Sequence, residues 1–211
     1  MKIVILGASQ GTGAEAAKVA VERGHHVTAF ARSPEKLALE HAHLIRMRGD
    51  FHDRGSVEQA IRGQDAVLVT ASATRFKAFR ENPNYFSQGT AYAIDAMKTH
   101  GVRRLVVLSA LGTGESRRLM PFLVRGLIVD FLLKLPFADH ERQEKMARES
   151  GLDWIVVRPG RLTNGPARRK YVAKVAIESV PSSISRADVA DCLVSAAESD
   201  AWIGEAVQIG G

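Results

Sequence analysis

Residues 2–13 read KIVILGASQGTG, and this stretch decides the predicted fold. The apolar run from Ile3 to Leu6 is typical of a strand that is buried on both faces. It leads directly into a glycine-rich turn with the spacing G-x-x-x-G-x-G, from Gly7 to Gly13. From Ala14 to Arg23 the small and apolar residues follow helical spacing, and Gly24 is a helix stop signal. A strand, a glycine turn and a helix in this order predict the start of a βαβ unit.

The glycine turn is suited to a phosphate group. Glycines let the backbone bend sharply and approach a pyrophosphate, while the helix start offers unpaired N–H groups and the positive end of its dipole. Because the turn lies between a predicted strand and a predicted helix, we expect a dinucleotide site rather than a turn that only packs the two elements together. The turn residues expected to contact the dinucleotide are Gly7, Ser9, Gln10, Gly11, Thr12 and Gly13.

The type of dinucleotide is read after the second predicted strand, Val27–Phe30. An acidic residue at this position would accept hydrogen bonds from the ribose 2′-hydroxyl of NAD. This chain instead has Arg32, whose planar fork suits a 2′-phosphate, followed by the hydroxyl of Ser33 and the charge of Lys36. We therefore expect NADP(H) as the cofactor, against the alternative that Arg32 is a solvated surface arginine.

Strands and helices alternate along the rest of the chain. Further strands are predicted at Leu44–Arg48, Ala66–Thr70, Leu105–Leu108 and Trp154–Val157, and further helices at Pro34–Leu39, Ser56–Arg62 with Ser56 as the cap, Ala91–His100, Asp139–Ser150 and Ser185–Ala197. This alternation predicts an α/β single-domain Rossmann fold over residues 1–211, with a doubly wound, mostly parallel sheet and helices on both faces.

Further candidate cofactor residues follow the predicted strands, at the edge where such sheets bind ligands. Asp50 is placed to meet the adenine, although it and Ser72 can equally be capping or turn residues. Arg75 can meet a phosphate or carboxylate or be a solvated surface residue. The complete set of expected contacts beyond the turn and the Arg32 region is Asp50, Phe51, Ala71, Ser72, Arg75, Ser109 and Pro159.

The catalytic tyrosine and lysine of ordinary short-chain dehydrogenases, four residues apart on a helix, are absent. The only tyrosines are Tyr85, Tyr92 and Tyr171, and none has a lysine four residues later. Ser109, at the end of the fifth predicted strand, does occupy the position of the substrate-contacting serine in those enzymes. Its alternative role is a loop hydroxyl that caps nearby backbone.

Several segments together carry a family resemblance: Gly7–Gly13, Arg32 with Lys36, Gly49-Asp50, Gln64–Val67 leading to Thr74-Arg75, Met97–Val102, Ser109-Ala110, Asp139–Arg142 and Arg148–Leu152. Over nearly its whole length the chain resembles the atypical short-chain dehydrogenase/reductases with an NAD(P)H-binding domain, and among them the biliverdin-IXβ reductase/flavin reductase group. Two departures stand out. Gln10 precedes Gly11 where the family usually has G-A-T-G-x-T-G, and Pro159–Arg161 stands where the biliverdin-type enzyme has a histidine.

The resemblance implies hydride transfer from NADPH to a planar acceptor such as a flavin (FMN), a quinone or a tetrapyrrole. A reduced flavin ring can take its proton from water, so a tyrosine acid is less necessary. His140 is a candidate proton source because an imidazole titrates near neutrality, with a structural helix-start histidine as the alternative. Ser109 and His140 are therefore the catalytic candidates, and Arg161 can flank the pocket.

Alternatives to the reductase remain. One is a non-enzymatic NADP(H) sensor resembling the NmrA-type regulators, and another is a sugar-nucleotide epimerase or dehydratase. Residues 112–137 are predicted to form a pocket wall or a dimer face; surface association with a membrane and a core helix are the alternatives for Leu119–Phe137. A membrane span is not expected there, because Arg125, Asp130 and Lys134 interrupt the apolar run.

Composition narrows the class of protein. The 211 residues are 45% hydrophobic and 25% charged, as in ordinary globular domains. The formal net charge of +6 comes from scattered basic residues with no nucleic-acid reading motif, so we expect a small-molecule substrate and no nucleic-acid partner. Cys192 cannot form an internal disulfide, and no secretory signal is evident, which favours a cytoplasmic monomer or homodimer. No metal site is expected.

Overall fold

The computed structural model describes residues 1–71, 77–120 and 133–211. The strands in the described ranges are β1 (Lys2–Leu6), β2 (His26–Ala31), β3 (Leu44–Arg48), β4 (Ala66–Val69), β5 (Arg104–Leu108), β6 (Asp153–Pro159), β7 (Arg161–Thr163), β8 (Val172–Lys174), β9 (Ser183–Ser185) and β10 (Glu205–Gly210). The helices there are α1 (Gly11–Glu22), α2 (Arg54–Ile61), α3 (Lys77–Glu81), α4 (Tyr85–His100), α5 (Lys134–Arg148) and α6 (Arg186–Glu198), with short 3-10 helices at Pro34–Lys36 and Gly114–Leu119.

Eight strands form one sheet in the order β3-β2-β1-β4-β5-β6-β10-β8. All neighbouring pairs are parallel except β10 with β8, which are antiparallel. Strands β7 and β9 form a separate parallel pair. The order of the first six strands is that of a Rossmann fold, in which the winding direction reverses between β1 and β4. The predicted fold class is confirmed.

The alternation of side chains along β1 explains how one sheet supports two apolar layers. Ile3 and Ile5 face a core shared with α1 and α6, whereas Val4 and Leu6 face a core shared with α2, α4 and α5. Since successive strand residues point to opposite faces, a strand covered on both sides must be apolar at every position. The apolar run from Ile3 to Leu6 is therefore continuous because apolar layers cover both faces of the sheet.

Several predicted helix starts are too late, and α4 shows why. It begins at Tyr85 rather than Ala91, because its first N–H groups are capped by Asp139 of α5. The fully buried carboxylate accepts hydrogen bonds from the N–H of Phe86 at 2.5 Å and from the N–H and hydroxyl of Ser87 at 3.4 and 2.6 Å. A cap that comes from another helix leaves no local sequence signal.

The starts of α1, α2 and α5 also differ from the prediction. Helix α1 begins at Gly11 and α5 at Lys134, each before the predicted residue. Asp53, not Ser56, caps α2, since its carboxylate accepts the N–H of Ser56 at 2.7 Å. The predicted cap at Ser185 is confirmed, with its side chain accepting the N–H of Asp188.

Strand β10 was absent from the predicted pattern although it lies inside the sheet between β6 and β8. Its apolar run is interrupted by Gln208, whose buried amide donates to the carbonyl of Ala206 at 2.6 Å.

Across the described ranges, we find no helix with the length and apolar character needed to cross a bilayer.

Candidate functional site

The first cleft, of about 220 Å3, opens at the carboxyl ends of β1, β2, β3 and β4. This is where the strand order reverses, which is the position at which open α/β sheets bind ligands. Its lining residues are Gly7, Ser9, Gln10, Phe30, Ala31, Arg32, Ser33, Lys36, Gly49, Asp50, Phe51, Ala71 and Tyr85. The structure thus brings nine of the residues predicted to contact the cofactor to one place.

The glycine turn at this cleft leaves no room for side chains. Gly7 has a φ of 103°, and a Cβ there would lie 2.7 Å from the backbone of Ala71. A Cβ on Gly13 would lie only 2.2 Å from the carbonyl oxygen of Gly7, so these two glycines close the turn between β1, β4 and α1. Gly11 has a φ of 59°, in the left-handed region that favours glycine.

The helix that follows the turn is open to an anion. Gln10 occupies the N-cap of α1 and makes no side-chain hydrogen bond to the helix. The first N–H groups of a helix have no intrahelical partner, and here no capping side chain takes their place. Together with the positive end of the helix dipole, these free donors fit a pyrophosphate.

One end of the first cleft is cationic. Arg32 and Lys36 follow β2, and within the described chain neither has a carboxylate partner. The nearest acid in sequence, Glu35, is paired with Arg48 at 2.9 Å. Arg48 also donates to the carbonyl oxygen of Arg32 at 3.2 Å. Two positive charges that form no ion pair within the described chain fit a phosphate on the 2′ position of the adenosine ribose.

Asp50, Phe51 and Tyr85 also line the first cleft. Asp50 accepts the N–H of His52 at 2.9 Å, and the His52 ring donates to the carbonyl oxygen of Tyr85 at 2.9 Å. The Phe51 ring packs directly on α4, since a Cβ at Gly89 would lie 2.3 Å from it. Burial and the charge of Asp50 raise the pKa of Tyr85 despite the opposing charge of Arg32. Sequence reasoning considered Tyr85 only as a catalytic acid and missed this position.

The second cleft, of about 330 Å3, lies on the other side of the glycine turn. Gln10 lines both clefts, so they adjoin at the N-terminus of α1. Its lining residues are Gln10, Gly11, Thr12, Thr70, Leu108, Leu162, Asn164 and Arg186. Of these, only the first three were predicted. Asn164 and Arg186 belong to the late part of the chain, where the sequence carried no motif that points to a ligand.

Ser109 is engaged in the buried ion cluster, a name that we give to the buried Glu144 and Arg158 together with their partly exposed partners Glu115 and Arg148. The serine is 5% exposed and donates its hydroxyl to Glu144 at 2.7 Å. A hydroxyl that donates to a carboxylate is not available to protonate a substrate. Ser109 lines neither the first cleft nor the second.

The buried ion cluster is fully paired. Arg158 is completely buried in β6 and donates to Glu144 through Nε at 2.9 Å and to Glu115 through Nη1 at 3.0 Å. Arg148 lies 3.2 Å from Glu115 and 3.5 Å from Glu144. Burial alone would raise the pKa of Glu115, but the hydrogen bond and charge of Arg158, with the charge of Arg148, lower it to about 2.

His140, the other catalytic candidate, stacks on Phe86 with ring centroids 4.2 Å apart. Its Nδ1 lies 3.0 Å from Oε1 of Gln143, and the Gln143 amide donates to Thr90 at 2.8 Å. Burial lowers the pKa of His140, outweighing the opposing hydrogen bond to Gln143. Neither of the two clefts is lined by His140.

The remaining predicted positions lie elsewhere. Pro159 ends β6 and accepts the N–H of Leu111 at 2.8 Å, outside the lining of both clefts. Ser72, Arg75 and residues 121–132 of the predicted pocket or interface segment lie outside the described residues.

This geometry can be compared with known proteins. A family model described as NAD(P)H-binding matches residues 7–200, which is most of the chain. The chain belongs to this NAD(P)H-binding family. The match spans the glycine turn, the Arg32 region and α6, and the predicted resemblance to NAD(P)H-binding reductases is confirmed.

Among curated proteins, the chain is 31% identical over 188 residues to a 2-alkyl-3-oxoalkanoate reductase of Stenotrophomonas maltophilia. The match covers 83% of this chain but only 55% of that protein. The chain therefore spans little more than half the length of this relative, whose name supports the prediction of an oxidoreductase.

Solved structures confirm the fold. A short-chain dehydrogenase/reductase of Veillonella parvula in complex with NADP superposes with a TM-score of 0.83 at 19% identity, covering 100% of this chain and 94% of that one. A protein of Escherichia coli described as "ChuY: An Anaerobillin Reductase" gives a TM-score of 0.81 at 21% identity, covering 99% and 96%.

Proposed function

We propose that this protein is an NADPH-dependent reductase that transfers hydride to a planar acceptor such as FMN, a quinone or a tetrapyrrole. The observation that carries the proposal is the cationic end of the first cleft. Arg32 and Lys36 have no carboxylate partner within the described chain, because Glu35 is held by Arg48. Family membership supports the cofactor class, and the name of the Stenotrophomonas relative supports the reaction class.

In this proposal, each wall of the two clefts has a role in binding. Arg32, Ser33 and Lys36 hold the 2′-phosphate, while Asp50 and the Phe51 ring adjoin the adenine. The free N–H groups at the start of α1 hold the pyrophosphate. The second cleft, with Thr70, Leu108 and Leu162 among its lining, receives the nicotinamide end. This arrangement orients the dinucleotide along the carboxyl edge of the sheet.

The choice of a planar acceptor follows from the second cleft, whose described lining contains no carboxylic acid, tyrosine or histidine, whereas Asp50 and Tyr85 line the first cleft at the proposed adenine end. Ser109 donates to Glu144, and His140 lines neither cleft, so in this proposal both are positioning residues. NADPH supplies a hydride and leaves as NADP⁺. An oxidised flavin accepts that hydride together with one proton from water, which completes its two-electron reduction. The protein then needs to supply orientation rather than a proton.

Anaerobic turnover tests the proposal. Purified protein is mixed with NADPH or NADH, with and without FMN, menadione or biliverdin, and the loss of reduced-nicotinamide absorbance is followed. We expect protein-dependent oxidation with NADPH and at least one of these acceptors, and slower oxidation with NADH. A Gly13→Val variant serves as control, because its side chain cannot fit beside the Gly7 carbonyl. Activity that survives in this variant, or turnover with NADH alone, would contradict the proposal.

A second candidate function is a non-enzymatic NADP(H) sensor. The observation that favours it is the engagement of Ser109 by Glu144 together with the absence of a tyrosine–lysine pair. Fluorescence titration separates the two functions. Tight NADPH binding without oxidation in the presence of any of the three acceptors supports the sensor, whereas turnover excludes a purely sensing role.

We also propose a reducing compartment such as the cytoplasm for this protein. Cys192 is a fully buried free thiol, and burial, with the charge of Asp191 acting in the same direction, raises its pKa to about 12. A thiol of this kind is unreactive, as is typical of structural cysteines in reduced proteins. Fractionation of cells that produce the protein would test this location.

A further inference from the structure

We propose that Arg186 binds the nicotinamide-side phosphate of the dinucleotide's pyrophosphate and is a second phosphate-recognising cation, separate from Arg32. This inference rests on the proposed use of NADPH. No sequence motif pointed to Arg186, which lies more than 150 residues from the glycine turn. The structure places it in the second cleft, beside Gln10, Gly11 and Thr12.

Arg186 lies against the first residue of α1. A Cβ built on Gly11 would be 3.6 Å from Nε and 3.8 Å from Cδ of Arg186. The guanidinium group therefore stands over the start of a helix whose N-cap, Gln10, makes no side-chain capping bond. The positive charge of Arg186 and the helix N-terminus thus act on the same volume of the second cleft.

The charge of Arg186 is not compensated within the described chain. Its hydrogen-bond partner there is the neutral side chain of Asn164, whose Oδ1 accepts from Nη1 at 2.6 Å. Asp188, the nearest acid in sequence, accepts instead from the N–H groups of Arg168 and Arg169 at 2.8 and 2.7 Å and from the hydroxyl of Ser185. A guanidinium group has five N–H donors, so most of those on Arg186 remain for a ligand.

The position of Arg186 on its helix is fixed by the surrounding chain. It is the first residue of α6, directly after the Ser185 cap, and its Nη1 is held by a hydrogen bond to Asn164. A guanidinium held in this way is preorganised, and its planar fork matches two oxygens of a phosphate. Because the two clefts meet at Gln10, a ligand whose 2′-phosphate lies at Arg32 would present its pyrophosphate to Arg186.

Calorimetric titration of the wild type, Arg186→Gln and Arg186→Lys with three ligands tests the inference. The ligands are NADPH, NADH and adenosine 2′,5′-bisphosphate, which lacks the nicotinamide-side phosphate. We expect Arg186→Gln to weaken NADPH and NADH by the same factor, about 10- to 100-fold, as for a lost charge-assisted hydrogen bond. Arg186→Lys should recover part of the affinity, and the bisphosphate should change by less than about twofold.

The control is Arg62→Gln, which removes the same charge from the end of α2, at the amino edge of the sheet. It should leave all three affinities unchanged. Unchanged NADPH binding in Arg186→Gln would overturn the inference, as would an equal loss of affinity for the bisphosphate. If the wild type binds neither NADPH nor the bisphosphate, the proposed function fails as well, which separates the two results.

Discussion

The first cleft and the buried ion cluster contain the same kinds of side chain in opposite electrostatic states. In the buried ion cluster, Arg158 is fully buried and reaches two carboxylates. At the first cleft, Arg32 and Lys36 reach none within the described chain. Burying a charge without a partner is costly, so a buried arginine must be paired for the protein to fold stably. The fold does not require unpaired cations at a cleft, and such cations therefore indicate an anionic ligand.

This contrast also separates two serines that sequence reasoning treated alike. Ser109 and Ser33 both follow strands at the carboxyl edge of the sheet. Ser33 lines the first cleft, whereas Ser109 is tied to Glu144. The partner of a side chain, rather than its position after a strand, therefore separates the proposed binding residues from the structural ones in this protein.

The largest effect is expected from breaking the buried ion cluster. Glu144→Ala removes the main partner of Arg158 and leaves a buried charge that only Glu115 and solvent can compensate. We expect the free energy of unfolding to fall by about 3 kcal/mol or more, while the affinity of the folded protein for NADPH changes little. Urea denaturation and fluorescence titration measure the two quantities.

Arg103→Ala is the matched control for that variant. It removes an ion pair with Asp153 at 2.8 Å in which the arginine side chain is 63% exposed. Exposed pairs of this kind contribute about 1 kcal/mol or less. Equal destabilisation by Glu144→Ala and Arg103→Ala would remove the distinction between the two regions.

The next effect tests the cation at the first cleft. Arg32→Asp replaces a positive charge at the 2′-phosphate position with a negative one. We expect the Kd for NADPH to rise about 100-fold, because a hydrogen bond between charged groups is lost and like-charge repulsion is added. The Kd for NADH should be unchanged or lower, since an acidic residue here suits a ribose 2′-hydroxyl. Thermal unfolding should be unaffected.

Arg62→Asp makes the same change of charge away from both clefts and should alter neither affinity. Two results would contradict the role of Arg32. One is an equal loss of affinity for NADPH and NADH, and the other is a loss of equal size in Arg62→Asp.

The sequence predicted the fold and most of the first cleft because their signals are local. A buried parallel strand reads as an apolar run, and the residue after it lies at the ligand edge of the sheet, as Gly7, Arg32, Asp50 and Ala71 do. Once the strands are recognised, the residues at the ligand edge of the sheet can be predicted without any knowledge of tertiary contacts. Strand β10 was missed because Gln208 breaks its apolar pattern while making its hydrogen bond inside the sheet.

The second cleft, the start of α4 and the buried ion cluster depend on contacts between residues that are distant in sequence. Arg186 meets Gly11 across the fold, and Asp139 caps a helix that starts 54 residues earlier, at Tyr85. Neither contact can be predicted from the helical or strand periodicity of the sequence. The role expected of Ser109 rested on its position after β5, and the partner that occupies it, Glu144, lies on a helix 35 residues later.

The smallest expected effect comes from a variant that leaves the carboxylate of Glu35 without its ion-pair partner beside the first cleft. Arg48→Ala releases Glu35, which is then free to face Arg32 and Lys36. An exposed pair of this kind contributes less than about 1 kcal/mol, so we expect NADPH to bind about two- to fivefold more weakly, with the difference fading at high salt. The affinity for NADH should not change, because it carries no 2′-phosphate.

Arg48 also contacts the backbone of Arg32, which offers a competing explanation for such a loss. The double variant Glu35→Gln, Arg48→Ala distinguishes them. If the freed carboxylate causes the loss, the double variant regains wild-type affinity for NADPH, because the charge that opposed the cofactor is gone. If the affinity stays low, the hydrogen bond from Arg48 to the Arg32 carbonyl positions the cation, and the ion pair with Glu35 has no electrostatic role at the cleft.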